Sequence, residues 1–318
     1  MTASATLPPA HRLVETSDAS ATVGAWTLLR FMLRRDRVRL SSWVVGIGLL
    51  TLYFSLAVRT VARDEAQLAQ LAGMLSDPVG RLMTGPAFGM EQPTYARFFS
   101  AGYALFRYIF IALMSAFTVV RHTRAEEQSG RAELMRANVV GRHATLTAAF
   151  LLTAIANVAI GVLMLAATLA AGFAPAGSAL VATAGVAVGV FFAAVAAVTS
   201  QLSESSRGAS AMAGGLLALA YLIRMGGDMS EAGGSTLSWF SPLGWAQQTA
   251  PYVEDRWWPL LLLLVLAAAL TGAGFWLSTT RDVGAGLLAP RLGRSEAKPA
   301  LGTPLGLAAR VLRGGLRG

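Results

Sequence analysis

Few residues in this 318-residue chain could carry out covalent chemistry, and none stands in company that would support it. The single lysine, Lys298, lies between Ala297 and Pro299, so the glycine-rich loop ending in Lys and Ser or Thr that cradles nucleotide phosphates is absent. The expectation is a chain that does not hydrolyse ATP. The histidines, His11, His122 and His143, occur without an HExxH pair or an acidic cluster, so no metal site is expected, and His122 and His143 read as polar markers at a membrane edge. With no cysteine there are no disulfides and no thiol nucleophile. Asp64 and Glu65 are the one acidic pair placed, at the end of an apolar run, where a metal and a pyrophosphate group could be held. No carboxylate pair lies inside an apolar run, which argues against a proton-coupled carrier. Between two long apolar runs, charge is gathered in residues 121–143, RHTRAEEQSGRAELMRANVVGRH, where Arg121, Arg124, Arg131, Arg136 and Arg142 are interspersed with Glu126, Glu127 and Glu133. That chemistry is ionic recognition.

The elements that must hold this segment are apolar. Apolar residues make up 54% of the chain and charged residues 14%, well below the roughly 25% charged of a soluble domain. Runs able to span a bilayer cover residues 41–58, 98–120, about 144–172, about 178–201, 208–223 and 257–280. The uncharged stretch 144–203 is too long for one helix and is expected to turn at Pro175, inside Gly172-Phe-Ala-Pro-Ala-Gly177. The fifth run is short and reaches the interface if its helix continues through Arg224 and Asp228, which stand four apart and can pair. Gly185 and Gly189 form a small-residue step of the kind that lets helices approach in lipid, a weak signal among 33 glycines. Arg107, inside the second run, either lines a pore or reaches the outer interface beside Phe106 and Tyr108.

Residues 1–22 read as a polar tail with no removable signal sequence. Residues 23–40 read as an interfacial helix, with Trp26, Leu29, Met32 and Leu33 on one side and Arg30, Arg34 and Arg37 on a neighbouring stripe. Tryptophans at 239, 245, 257 and 258 read as an interfacial belt. With the N-terminus inside, cytoplasmic segments hold 19 of the 26 basic residues and outer segments 6, Arg107 being the remainder. The net charge of +9 thus marks a membrane side and implies no nucleic acid. The fold expected is an all-α membrane protein of six transmembrane helices with both termini cytoplasmic. It divides into a tail and interfacial helix (1–40), a six-span body (41–280) and a basic cytoplasmic tail (281–318).

Within residues 121–143, Thr123 and Glu126 fit a capping box, Glu127 and Arg131 stand at i, i+4, Glu133 and Arg136 at i, i+3, and Gly141 can end a helix. The segment is expected to be a short helix, or two hinged at Gly130, with Leu134 and Val139 as apolar knobs. It is either a docking element or an ordinary positive-inside loop of solvated ion pairs.

This order of an arginine-rich amphipathic helix, a span, a polar outer segment, a span, the loop EEQSGRAELMRANVVGRH and four further spans resembles the type-2 ABC transporter permeases. The likeness is to the bacterial drug and polyketide-antibiotic efflux subfamily. The end of span five at Arg224 and Asp228, and SWFSPLGWAQQTAPYVEDRWWP, carry it further; together these motifs and the topology cover most of residues 24–280. The resemblance implies a plasma-membrane exporter of hydrophobic or amphipathic compounds. Glu126, Glu127, Gly130, Arg131, Glu133, Leu134 and Val139 would then seat in a separate ATP-binding-cassette subunit, which binds the ATP and magnesium. It also implies an outer gate or pathway at Arg107, Arg224, Asp228, Trp239, Pro242 and Trp245. Permeases of this subfamily look like two such halves fused, so this chain is expected to dimerise, to pair with a separate half, or to be an interrupted product. Two other classes stay open: a membrane-embedded enzyme for lipid-linked substrates, using Asp64, and a scaffold that transports nothing.

Overall fold

Uninterrupted apolar sequence in lipid has to satisfy its own backbone, and helices are the local answer. The computed structural model describes residues 21–130, 141–280, 286–288 and 303–312, and six of its helices are long and apolar enough to cross a membrane. In chain order the elements are α1 (Ala25–Arg35), α2 (Arg37–Val61), α3 (Glu65–Ser76), α4 (Pro78–Thr84), α5 (Tyr95–His122), α6 (Arg124–Gln128), α7 (Ala144–Ala170), α8 (Pro175–Leu202) and α9 (Ser206–Ser230). A 3-10 turn (Thr236–Phe240), α10 (Pro242–Gln247) and α11 (Pro259–Thr280) follow, and no strand occurs among the described residues. The chain divides into two units, residues 1–287 and 288–318. The second contains α12 (Pro304–Leu312), begun by Thr303, whose Oγ1 accepts from the Gly306 amide at 3.2 Å.

Local signals set the helix ends. The α7–α8 hairpin falls at Pro175, which takes the first position of α8 where a missing N–H costs nothing, while Gly172 supplies a φ of 78°. Asp64, Thr94 and Ser205 cap α3, α5 and α9 through their side-chain oxygens. Helix α9 runs on to Ser230, so the fifth span gains the length that its apolar core lacked.

Helix α8 is the centre of the bundle, packed on α5, α7 and α11. Gly189 lets α7 come close: a Cβ there would lie 2.1 Å from Asn157 Oδ1, and Asn157 in turn donates to Ser115 Oγ at 3.0 Å. The Gly185 and Gly189 step is therefore used, Gly185 facing Ile111 and Met164. By contrast α2, α9 and α11 keep much of their apolar surface exposed, as spans facing lipid or another protein do.

Two expectations about the N-terminal helix change. The chain breaks at Asp36, so residues 37–40 belong to the first span and Arg37 leaves the interfacial stripe. The buried stripe is Ala25, Leu28, Leu29 and Met32, seated on Ala144, Ala148 and Leu152 of α7, while Trp26 is 60% exposed beneath Arg30. The two stripes share Leu29 and Met32 on neighbouring faces of one helix; the small alanines of α7 choose between them.

Candidate functional site

The charged segment meets the bundle where α1 turns into α2 and α5 into α6. Asp36, 5% exposed, is the lone acid in an arginine run and gathers two hydrogen-bonding partners. Arg121 donates to both of its oxygens, at 3.0 and 3.3 Å, and His122 Nε2 lies 2.9 Å from Oδ2. Burial pushes the Asp36 carboxyl up, but the Arg121 hydrogen bond and the charges of His122 and Arg121 outweigh it and hold the group below the usual carboxylate range.

Helix α6 is bolted down on three sides. Glu126 pairs with Arg35 of α1, and Glu127 accepts from Arg124 Nη1 at 2.7 Å. Arg124, wholly buried, also donates from Nε to Ser200 O near the end of α8 at 3.0 Å. Gln128 Oε1 accepts from the Ser206 amide at the start of α9, 2.9 Å away. Thr123 forms no capping box; its hydroxyl turns back to Val119 O at 2.7 Å and lies 3.2 Å from Ser200 Oγ. A buried hydroxyl gains more from these partners than from a helix start already held by ion pairs. Beyond Gly130, which has a φ of 73°, the chain is tied again where Gly141 N donates to Val23 O and His143 N to Ala21 O, each at 2.9 Å. Residues 131–140, with Arg131, Glu133, Leu134, Arg136 and Val139, lie outside the described residues, so the Glu127–Arg131 and Glu133–Arg136 pairs do too.

The other end of the bundle carries a polar lid. Arg224 and Asp228 pair at 3.0 Å as their spacing implied, both buried. Arg224 also donates to Leu82 O at 2.6 Å, capping the end of α4, while Arg81 returns a bond to Asp228 O at 2.9 Å. Ser238 donates to Asp228 Oδ1 at 2.6 Å, Ser241 to Ala220 O at 2.6 Å and Gln247 to Thr84 O at 2.7 Å. Trp245 donates to Trp239 O at 2.6 Å, Trp239 stacks on Trp258 at 5.0 Å, and Pro242 opens α10. So Arg224, Asp228, Trp239, Pro242 and Trp245 come together in one structure. Arg107 is wholly buried on α5, its guanidinium over the Phe99 ring.

Under Phe240 and Pro242 an apolar groove of about 330 Å³ runs between α8, α9 and α11, lined by side chains such as Phe191, Phe192, Met212 and Ile223. Asp64 is spent as a helix cap, its Oδ1 accepting from Gln67 N at 2.8 Å, and no group of three or more His, Cys, Asp or Glu fit for a metal occurs among the described residues. Sequence reasoning missed the Arg35–Glu126 and Asp36–Arg121 ties. One signal was present, an isolated aspartate among five arginines at 30, 34, 35, 37 and 39.

Residues 27–277 match the family described as "Multidrug efflux system permease Rv1217c, C-terminal domain". The chain is 44% identical over 312 residues to the multidrug efflux system permease protein Rv1217c of Mycobacterium tuberculosis (strain ATCC 25618 / H37Rv). The alignment takes in 97% of this chain and 55% of that protein, so the chain spans about half the length of its relative.

Proposed function

Because the chain belongs to this multidrug efflux permease family, we propose that it is the membrane-spanning permease part of an ATP-driven exporter in the bacterial plasma membrane. On this reading both termini and residues 121–143 face the cytoplasm. A separate ATP-binding-cassette subunit binds ATP and magnesium and grips residues 131–140. A second permease half, another copy or a separate chain, completes the pathway, and the substrates are hydrophobic or amphipathic.

One observation carries the proposal. Both flanks of residues 131–140 are anchored to the bundle, through α6 to α1, α8 and α9 on one side and through Gly141 and His143 to the lead into α1 on the other. A force applied between these anchors reaches several spans at once, whereas a solvated loop would absorb it. The apolar groove beneath the lid offers dispersion contacts and few fixed charges, which suits substrates differing in shape. On the same reading the lid of Arg224, Asp228 and the tryptophans, held together by the Arg224–Asp228 pair, would close the outer end.

The test is ATP-dependent uptake of an amphipathic dye into inside-out vesicles containing this chain and a co-expressed cassette ATPase. The reading expects uptake that stops without ATP and an ATPase that copurifies with the chain. Activity that needs no ATPase but disappears in Asp64→Asn would overturn it in favour of an enzyme. No activity and no copurifying ATPase would favour a scaffold.

A further inference from the structure

We infer that the groove between α2 and α7 holds one acyl chain of a phospholipid whose phosphate is bound by Arg59. The groove has a volume of about 360 Å³ and an apolar lining, with Leu49 and Leu52 of α2 facing Leu163, Ala166 and Ala170 of α7. Side-chain size explains it. At Gly48 the two helices touch, since an added Cβ would lie 2.9 Å from Leu163 Cδ1. A turn further along, the alanines of α7 have too little side chain to fill the space opposite Leu49 and Leu52. The gap opens sideways, where Leu49, Ala166 and Ala170 are exposed. Water gains no hydrogen bonds on such a surface, whereas a hydrocarbon chain restores the missing dispersion contacts.

The end of the groove carries a cation. Val45, Leu49, Leu52, Leu56 and Arg59 recur at steps of four and three, so Arg59 stands on the face of α2 that forms the groove. Its Nη2 donates to Ala171 O at 2.9 Å, the carbonyl next to Ala170, which lines the groove. That bond carries the guanidinium across from α2 to the close of α7, with the Tyr95 ring 5.6 Å from Cζ. A guanidinium has five N–H donors; Arg59 is exposed and no acid pairs with it among the described residues. Other arginines near the lid are spent: Arg81 and Arg97 on backbone carbonyls, Arg224 on Asp228.

Depth selects the ligand. Arg37 and Arg59 stand at the two ends of α2, about 33 Å apart along its axis, close to the roughly 30 Å of a bilayer's hydrocarbon. Arg59 is thereby at the phosphate level of the leaflet on the lid side. The α2 residues of the groove, from Leu52 back to Val45, lie about 10 to 20 Å deeper, where the far part of an acyl chain runs. One phospholipid meets both features, its phosphate accepting from the guanidinium and its chain descending into the groove. A second copy of this chain would fill the groove without calling for a cation at its end.

The site does not depend on transport. The test is native mass spectrometry of the whole chain in detergent, titrated with palmitoyl-oleoyl phosphatidylglycerol or with palmitoyl-oleoyl glycerol, which has the same chains and no phosphate. One phospholipid should bind tightly per chain. Arg59→Gln and removal of the phosphate should each weaken binding about tenfold, the worth of one charge-assisted hydrogen bond. Ala166→Phe, which puts a ring into the groove, should abolish tight binding, while Val265→Phe on the exposed face of α11 should leave it unchanged. If Ala166→Phe does not fold, Ala170→Phe replaces it. No tightly bound phospholipid, equal affinity for the lipid without phosphate, equal affinity in Arg59→Gln or in the groove variant, or an equal loss in Val265→Phe overturns the proposal. So does a two-chain species that the groove variant splits into single chains, because the groove then belongs to a second copy.

Discussion

Breaking the tie between Arg35 and Glu126 should uncouple α1 from α6. The pair is intermediate between surface and core, with side chains 26% and 8% exposed. Exposed pairs are worth about 0.2–1 kcal/mol and the loss of one partner of a buried pair costs about 3–5 kcal/mol, so Glu126→Ala should cost about 1–3 kcal/mol. Charge reversal at 126 adds repulsion from Arg35 and should cost more. The double reversal R35E/E126R should recover a substantial part, giving a coupling energy above about 1 kcal/mol in a double-mutant cycle. Dye efflux and unfolding are the two readouts. Since the chain has no cysteine, R35C/E126C can be joined by a short bifunctional thiol reagent. If α1 and α6 move as one body, the joined protein keeps its efflux. The reasoning is refuted if the double reversal is no better than the single ones, or if joining the two helices stops transport.

Other consequences are simpler to measure. Asp36, whose carboxyl titrates below its unfolded value, stabilises the fold fully above about pH 3.9, and this contribution is lost as pH falls through the lower folded value; melting should be flat from pH 5 to 8 as far as this group acts, and Asp36→Asn should remove part of the acid-limb loss. Asp228→Leu alone strands the buried Arg224 and should cost about 3–5 kcal/mol, while R224M/D228L should cost less than that single change, read by melting and by proteolysis of the lid. Gly189→Ala should destabilise by about 1–3 kcal/mol because its methyl meets Asn157 in a packed interface, and Asn157→Ala in the same chain should relieve it.

What was legible from sequence was what local spacing determines. Six spans follow from run length, the α7–α8 hairpin from Pro175, and the Arg224–Asp228 pair from a four-residue step on one helix. What was not legible depends on partners distant in sequence. The capping box at Thr123 obeyed a local rule and lost to Ser200, which lies 77 positions away. Glu126 pairs with Arg35, 91 positions back, a tie that no local spacing rule names. Glycine steps were common enough to hide the pair in use, and only the position of Asn157 distinguishes Gly189. On the α1 stripe Leu29, Met32 and Leu33 do face the cluster and only Trp26 was misassigned, because the small residues that receive the stripe belong to α7.

The most direct test of the central claim uses Glu133→Cys in this cysteine-free chain, labelled with a membrane-impermeant maleimide. The account predicts labelling in inside-out vesicles, none in intact cells, and protection when the cassette ATPase is bound. Labelling of intact cells would place the segment on the outer surface, where no nucleotide-driven partner could reach it, and would contradict the account.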